Sequence, residues 1–128
     1  MKNRTAESGF LNIAFTDGDD SPNTAGSLVE ITDDLTVKAP TAAGSLKIVG
    51  EVVVPASAAG EKCTVATRFS KLRTLTSGAA VSVGAITGGD GAGKVINFDH
   101  TTHKAPADLG LAITAAEEAD QDVVCLIW

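Results

Sequence analysis

Residues 88–94 read Gly-Gly-Asp-Gly-Ala-Gly-Lys and satisfy the spacing G-x-x-x-x-G-K. In that motif successive backbone amides cradle a nucleotide's phosphates, and the lysine reaches the outer ones. The chemistry needs two more parts: a Ser or Thr after the lysine to hold Mg²⁺, and a helix whose N-terminus faces the phosphates. Val95 follows instead, and VINFDHTTHKAP has strand character and a late proline. A glycine-rich hairpin loop without nucleotide is the expectation. Asp99, His100 and His103 form a second group, but two histidines three apart need a tight turn and a third ligand to bind metal, so a solvated loop is expected. Asp17, Asp19, Ser21 and Asn23 imitate the start of a calcium loop. Pro22 stands where the sharp-turn glycine belongs, and Leu28 where the bidentate glutamate belongs. No serine lies in a G-x-S-x-G elbow, and neither Cys63 nor Cys125 has a neighbouring histidine. The two cysteines are expected as reduced core thiols. These residues point to no catalysis, no cofactor and no metal.

The elements around these residues are strands. Residues 49–67, VGEVVVPASAAGEKCTVAT, align without a gap with residues 109–127, LGLAITAAEEADQDVVCLI, at an offset of 60. Gly50 meets Gly110, Ala56 meets Ala116, Val53 meets Ile113 and Cys63 meets Val123. Each copy is an apolar strand, a small-residue connection and a second apolar strand. Further strands are expected at 28–31, 35–38, 46–54, 63–69, 72–75, 81–86, 95–98, 109–114 and 123–128, with turn residues between them. The stretch AAEEADQD could hold one helical turn. Strands of this length and spacing indicate an all-β body, a small sandwich or a small barrel. The last strand, VVCLIW, is apolar throughout. Alternation puts Val123, Cys125 and Ile127 on one face and Val124, Leu126 and Trp128 on the other, so each face must meet the core or another subunit.

Residues 1–26 alternate short apolar pieces with turn formers and offer no nearby strand partner. They are expected to form an extended arm ahead of a single body at 27–128, with Phe10, Leu11, Ile13 and Phe15 free to fill pockets on a partner. The chain has 128 residues, no Tyr, four Phe, one Trp and a net charge of −6. Its acidity argues against nucleic acid and against an anionic membrane surface. No apolar run is long enough to span a bilayer, and the first residues lack the pattern of a secretory signal.

The segments IVGEVVVPASAAGEKCTVATR, LTSGAAVSVGAI and LGLAITAAEEADQDVVCLIW, in an acidic Ala/Gly/Thr/Val-rich chain, resemble the head decoration, or cement, proteins of tailed bacteriophages. The resemblance covers residues 28–128 in pattern. It implies a β-tulip-like body and a structural, non-enzymatic role. Such a protein would be made in the host cytoplasm and would bind the major capsid protein on the outer capsid surface of the virion. It also implies self-association, a homotrimer before a homodimer, with Val124, Leu126 and Trp128 at the contact or in the core. A carbohydrate- or receptor-binding β module displayed on a virion is the alternative, disfavoured by the scarcity of aromatic platforms. A small nucleotide- or metal-dependent enzyme ranks lower still.

Overall fold

A computed structural model describes residues 11–69, 71–99 and 108–128. Among them lie ten strands and no helix: β1 (Asn12–Asp17), β2 (Leu28–Asp33), β3 (Thr36–Lys38), β4 (Ile48–Val54), β5 (Lys62–Thr67), β6 (Lys71–Thr76), β7 (Ile86–Gly89), β8 (Val95–Asn97), β9 (Asp108–Ala112) and β10 (Asp122–Ile127). The protein is all-β. Strands β1–β5 close a barrel in the order β1-β3-β2-β4-β5, and β6–β10 form a five-stranded sheet in the order β6-β10-β9-β7-β8. A parallel bridge, Ser77↔Val95, joins the end of β6 to β8 and all but closes that sheet into a second barrel.

The two halves share one topology, ring for ring. In the N-terminal barrel Gly50 pairs with Thr67 and Val52 with Val65; in the C-terminal one Gly110 pairs with Ile127 and Ala112 with Cys125. Asn12↔Ala66 is matched by Leu72↔Leu126, and Phe15↔Cys63 by Leu75↔Val123. These positions all differ by 60. The middle strands keep the same ladders at an offset of 58: Val29↔Gly50 becomes Thr87↔Gly110, and Ile31↔Val37 becomes Gly89↔Val95. The closing bridge recurs too, Asp17↔Val37 against Ser77↔Val95. Backbone devices repeat with the ladders. Gly50 and Gly110 lie so close to the next strand that a Cβ would run into the carbonyl oxygens of Ala66 and Leu126. Left-handed residues recur in register as Gly26/Gly84, Leu35/Gly93 and Gly60/Asp120. The hairpin repeat of the sequence is one part of a duplication that takes in all ten described strands.

Burial follows this plan. Phe15, Val29, Ile31, Val37, Val52, Cys63 and Val65 belong to one continuous buried cluster that extends to Leu111, Ile113 and Leu126 of the second half. Val81, Val95, Ala112, Ala116, Val123 and Cys125 form the other cluster, with Leu75 and Ile127 packed against it. The C-terminal strand therefore divides as its alternation requires: Val123, Cys125 and Ile127 serve the second cluster, Leu126 and Val124 the first. Both faces of β10 are covered within one chain. The barrels are also joined by backbone bonds. The Leu35 N–H donates to the Ile113 carbonyl (3.1 Å), and the Ala115 N–H donates to Asp34 Oδ1 (3.0 Å).

Four expectations require correction. The stretch 11–26 is not an arm. β1 pairs with β5 along its length, Phe15 is fully buried, and Leu11 and Ile13 are partly buried against the same cluster. Strand pairing and burial together make β1 part of the barrel wall, so the β body begins within the stretch expected as an arm rather than at 27. Phe10 lies outside the described residues. Trp128 belongs to neither interior; it is 45% exposed, which removes the core from its two expected places and leaves the subunit contact. Residues 81–85 are a turn rather than a strand, because Gly84 takes a left-handed φ of 81° and the ladder starts at Ile86. AAEEADQD is a turn held by Gln121, whose Oε1 accepts the Glu117 N–H (2.7 Å), and ends on left-handed Asp120.

Candidate docking surfaces

The glycine-rich segment is the β7–β8 hairpin. Three of its amides are engaged within the loop: Asp90 Oδ1 accepts the N–H groups of Ala92 and Lys94, both at 2.8 Å, and the Asp90 N–H donates to the Lys94 carbonyl. These amide bonds, first of all from Lys94, hold the Asp90 carboxyl below its ordinary pKa. Lys94 is tied to Asp120 across the loop, and that hydrogen bond raises its pKa. The phosphate cradle is thus filled by the chain's own carboxylate.

The aspartates after β1 form a knot. Asp17, fully buried, accepts the Asn23 backbone N–H (2.8 Å), the Asn23 side-chain amide (3.0 Å) and the Asp19 N–H (3.1 Å). Asp19 Oδ2 accepts the Asn23 amide (2.9 Å) and the Ala39 N–H (2.8 Å), which lower its pKa. The Asn23 amide occupies the place a cation would take. The counterpart of Asn23 in the C-terminal half is apolar Val81, only 2% exposed and bridged to Ala116. No group of three or more metal-binding side chains occurs among the described residues. Asp99 is described, whereas His100 and His103 lie outside the described residues. Cys63 and Cys125 are buried free thiols. Burial raises both pKa values, that of Cys125 to about 11, with Asp17 adding to the effect at Cys63.

A cleft of about 830 Å³ lies where the barrels meet, between β2, the 39–47 segment and residues 84–86. Glu30, nearly buried, points its carboxylate at Ser45 Oγ (2.6 Å) and Thr41 (3.3 Å from the N–H) and so pins that segment in place. The carboxylate has a structural employment there.

Another surface escaped the motif reading. Arg68 donates through Nε to the Ile48 carbonyl (2.9 Å), with its guanidinium 4.8 Å from the Phe69 ring centre and 4.7 Å from that of Trp128. The two rings are 4.6 Å apart. β6 begins beside this cluster. It pairs with β10 on one side, and apart from the Ser77 bridge its other side has no strand partner among the described residues. Lys71, Leu72 and Arg73 are all exposed. A signal was present in the sequence: three of the ten cationic residues of an acidic chain lie within residues 68–73. Motif searching passes over it because no spacing rule marks an open sheet edge. Comparison with protein-family models and with curated proteins finds no match to this chain.

Proposed function

We propose that the protein is a structural virion component that binds the outer surface of an assembled phage shell and stabilises its lattice. The observation that carries this reading is the β6 edge, an exposed cationic strand beside the Arg68–Phe69–Trp128 cluster on an otherwise acidic body. An edge strand offers unpaired backbone groups to an extended segment of a partner. Lys71 and Arg73 select an acidic one, and Leu72 supplies an apolar contact. Because Phe15 lies inside the barrel, this reading takes the β6 edge, rather than an N-terminal arm, as its shell contact. Binding only to the assembled lattice would stabilise it by mass action. The test is co-sedimentation with empty expanded and unexpanded phage shells. The expected result is saturable binding, reduced roughly tenfold or more by Lys71→Glu with Arg73→Glu. No co-sedimentation with either shell form would overturn it.

A further inference from the structure

The duplication leaves one interface used once. On the C-terminal barrel, the outer face of β7, β9 and β10 is buried under the N-terminal barrel: Leu111, Ile113 and Leu126 are fully buried there. The same face of the N-terminal barrel, on β2, β4 and β5, carries Glu51, Val53 and Ala66 at those positions. Here nothing covers it among the described residues. Leu28 is 56% exposed, Val53 40% and Val54 57%, and Leu28 lines a groove of about 350 Å³ that runs over Gly50 and Ala66. The covering surface is duplicated as well. In the N-terminal barrel it includes the Asp34–Leu35 turn and Val49. Their counterparts in the C-terminal barrel are the exposed Ala92–Gly93 turn and Leu109, which is 37% exposed. Each chain thus has one free receiving face and one free covering surface.

We propose that a second copy of this chain occupies the exposed β2–β4–β5 face, its C-terminal barrel covering Leu28, Val53 and Val54 as the N-terminal barrel covers Ile86, Ile113 and Thr114 within one chain. The contact is head-to-tail, because two different surfaces meet. It is no strict copy of the internal one. Pro55 stands where Ala115 donates its N–H to Asp34, and Glu51 replaces Leu111, so the contact between chains is weaker and reversible. The choice of a second copy over another partner rests on the duplication itself: the chain already folds its N-terminal half onto the equivalent face of its C-terminal half. The inference stands whether or not the protein binds a shell.

The test uses the full chain without shells, in sedimentation velocity over a wide concentration range. The wild type is expected to assemble reversibly beyond the 12.9 kDa monomer. Leu28→Asp spoils the receiving face and Leu109→Asp the covering surface, so each variant alone should remain monomeric. Mixed in equal amounts they should form a dimer and nothing larger, since each retains the surface the other lacks. Circular dichroism and melting confirm that both are folded, and Leu109→Ser replaces Leu109→Asp if the latter unfolds. A wild type that stays monomeric throughout overturns the proposal. Variants that still assemble alone also overturn it, and so does a mixture that yields no dimer, the outcome of a two-fold contact through one surface.

Discussion

The N-terminal and C-terminal barrels have the same ladders, yet they fill their interiors with different side chains. Phe15, Val29, Ile31 and Val52 in the first stand where the second has Leu75, Thr87, Gly89 and Ala112. At every one of these positions the second barrel is smaller or more polar. The shared frame therefore does not depend on a particular set of core volumes. It depends on backbone devices that both halves keep: the close strand approach at Gly50 and Gly110, the left-handed turns, and bulges at equivalent places in the β2–β4 and β7–β9 ladders. Outside, the divergence follows use. Leu11 and Ile13 are partly buried in the first barrel, whereas their counterparts Lys71 and Arg73 stand exposed.

The comparison is broken most directly at its best-filled position. Phe15→Ala should cost about 3–5 kcal/mol in urea unfolding, and the equivalent Leu75→Ala, at a partly buried site, roughly 1–2 kcal/mol. Equal costs would show that the two interiors are equally packed. A loss at Phe15 below about 1 kcal/mol would return β1 to the status of an arm.

The shared frame is probed next by Gly50→Ala and Gly110→Ala. Each should cost about 3 kcal/mol, the top of the overpacking range, because the obstacle is backbone and cannot rotate away. Near-equal losses are expected despite the different surroundings. A tolerated substitution at one site would mean the two strand crossings are not equivalent.

Exchange of one interior pair sharpens the contrast. Thr87 is fully buried, and its hydroxyl has no hydrogen-bond partner among the described residues. Its counterpart is Val29. Thr87→Val should stabilise the protein by about 1 kcal/mol, whereas Val29→Thr should destabilise it by about 1–3 kcal/mol. Thermal melts of the two variants should move in opposite directions; movement in the same direction would contradict the assignment.

The smallest effect is in acid. Asp19 in the first barrel and Asp90 in the second have folded-state pKa values below 3.8, through the Ala39 and the Lys94 and Ala92 amides respectively. The stability they contribute is complete above the unfolded-state pKa and is lost as pH falls through the folded value, so the loss begins below about pH 4. Asp19→Asn and Asp90→Asn should each flatten the melting temperature against pH in that window and leave the curve between pH 5 and 7 parallel to wild type. An acid slope unchanged in both would show that neither loop titrates with folding.

The all-β character was legible because strands such as IVGEVVV and DVVCLI carry their own signals. The β4–β5 and β9–β10 hairpins were legible as a repeat because each is continuous in sequence and keeps its glycine and alanine positions. The other strands hid the duplication for two reasons. Their equivalences join unlike residues, Ile31 with Gly89 and Ile13 with Arg73, and the offset slips from 60 to 58 between β6 and β7. β1 was misread because its main partner, β5, lies a whole barrel away in the chain, and reading for neighbouring partners cannot see such a pairing. The glycine-rich segment was legible as a hairpin, from Val95 and the strand character that follows it. The aspartate knot was not foreseen, since its partner, Asn23, was itself counted among the would-be ligands. The β6 edge lay beyond motif logic: it is defined by what does not pair with it.

The position of β6 also bears on synthesis. All strands of the N-terminal barrel precede β6 in the chain, so that barrel can close while later segments are still being made. β6 comes next, and its partner β10 follows only after β7, β8 and β9. Throughout that interval β6 lies beside a finished barrel and adjoins β5 in sequence, so a wrong hairpin between them would form faster than the correct ladder. Exposed Lys71 and Arg73 keep the waiting strand soluble. The charges that mark the edge in the finished protein thus also serve as its chaperone during assembly.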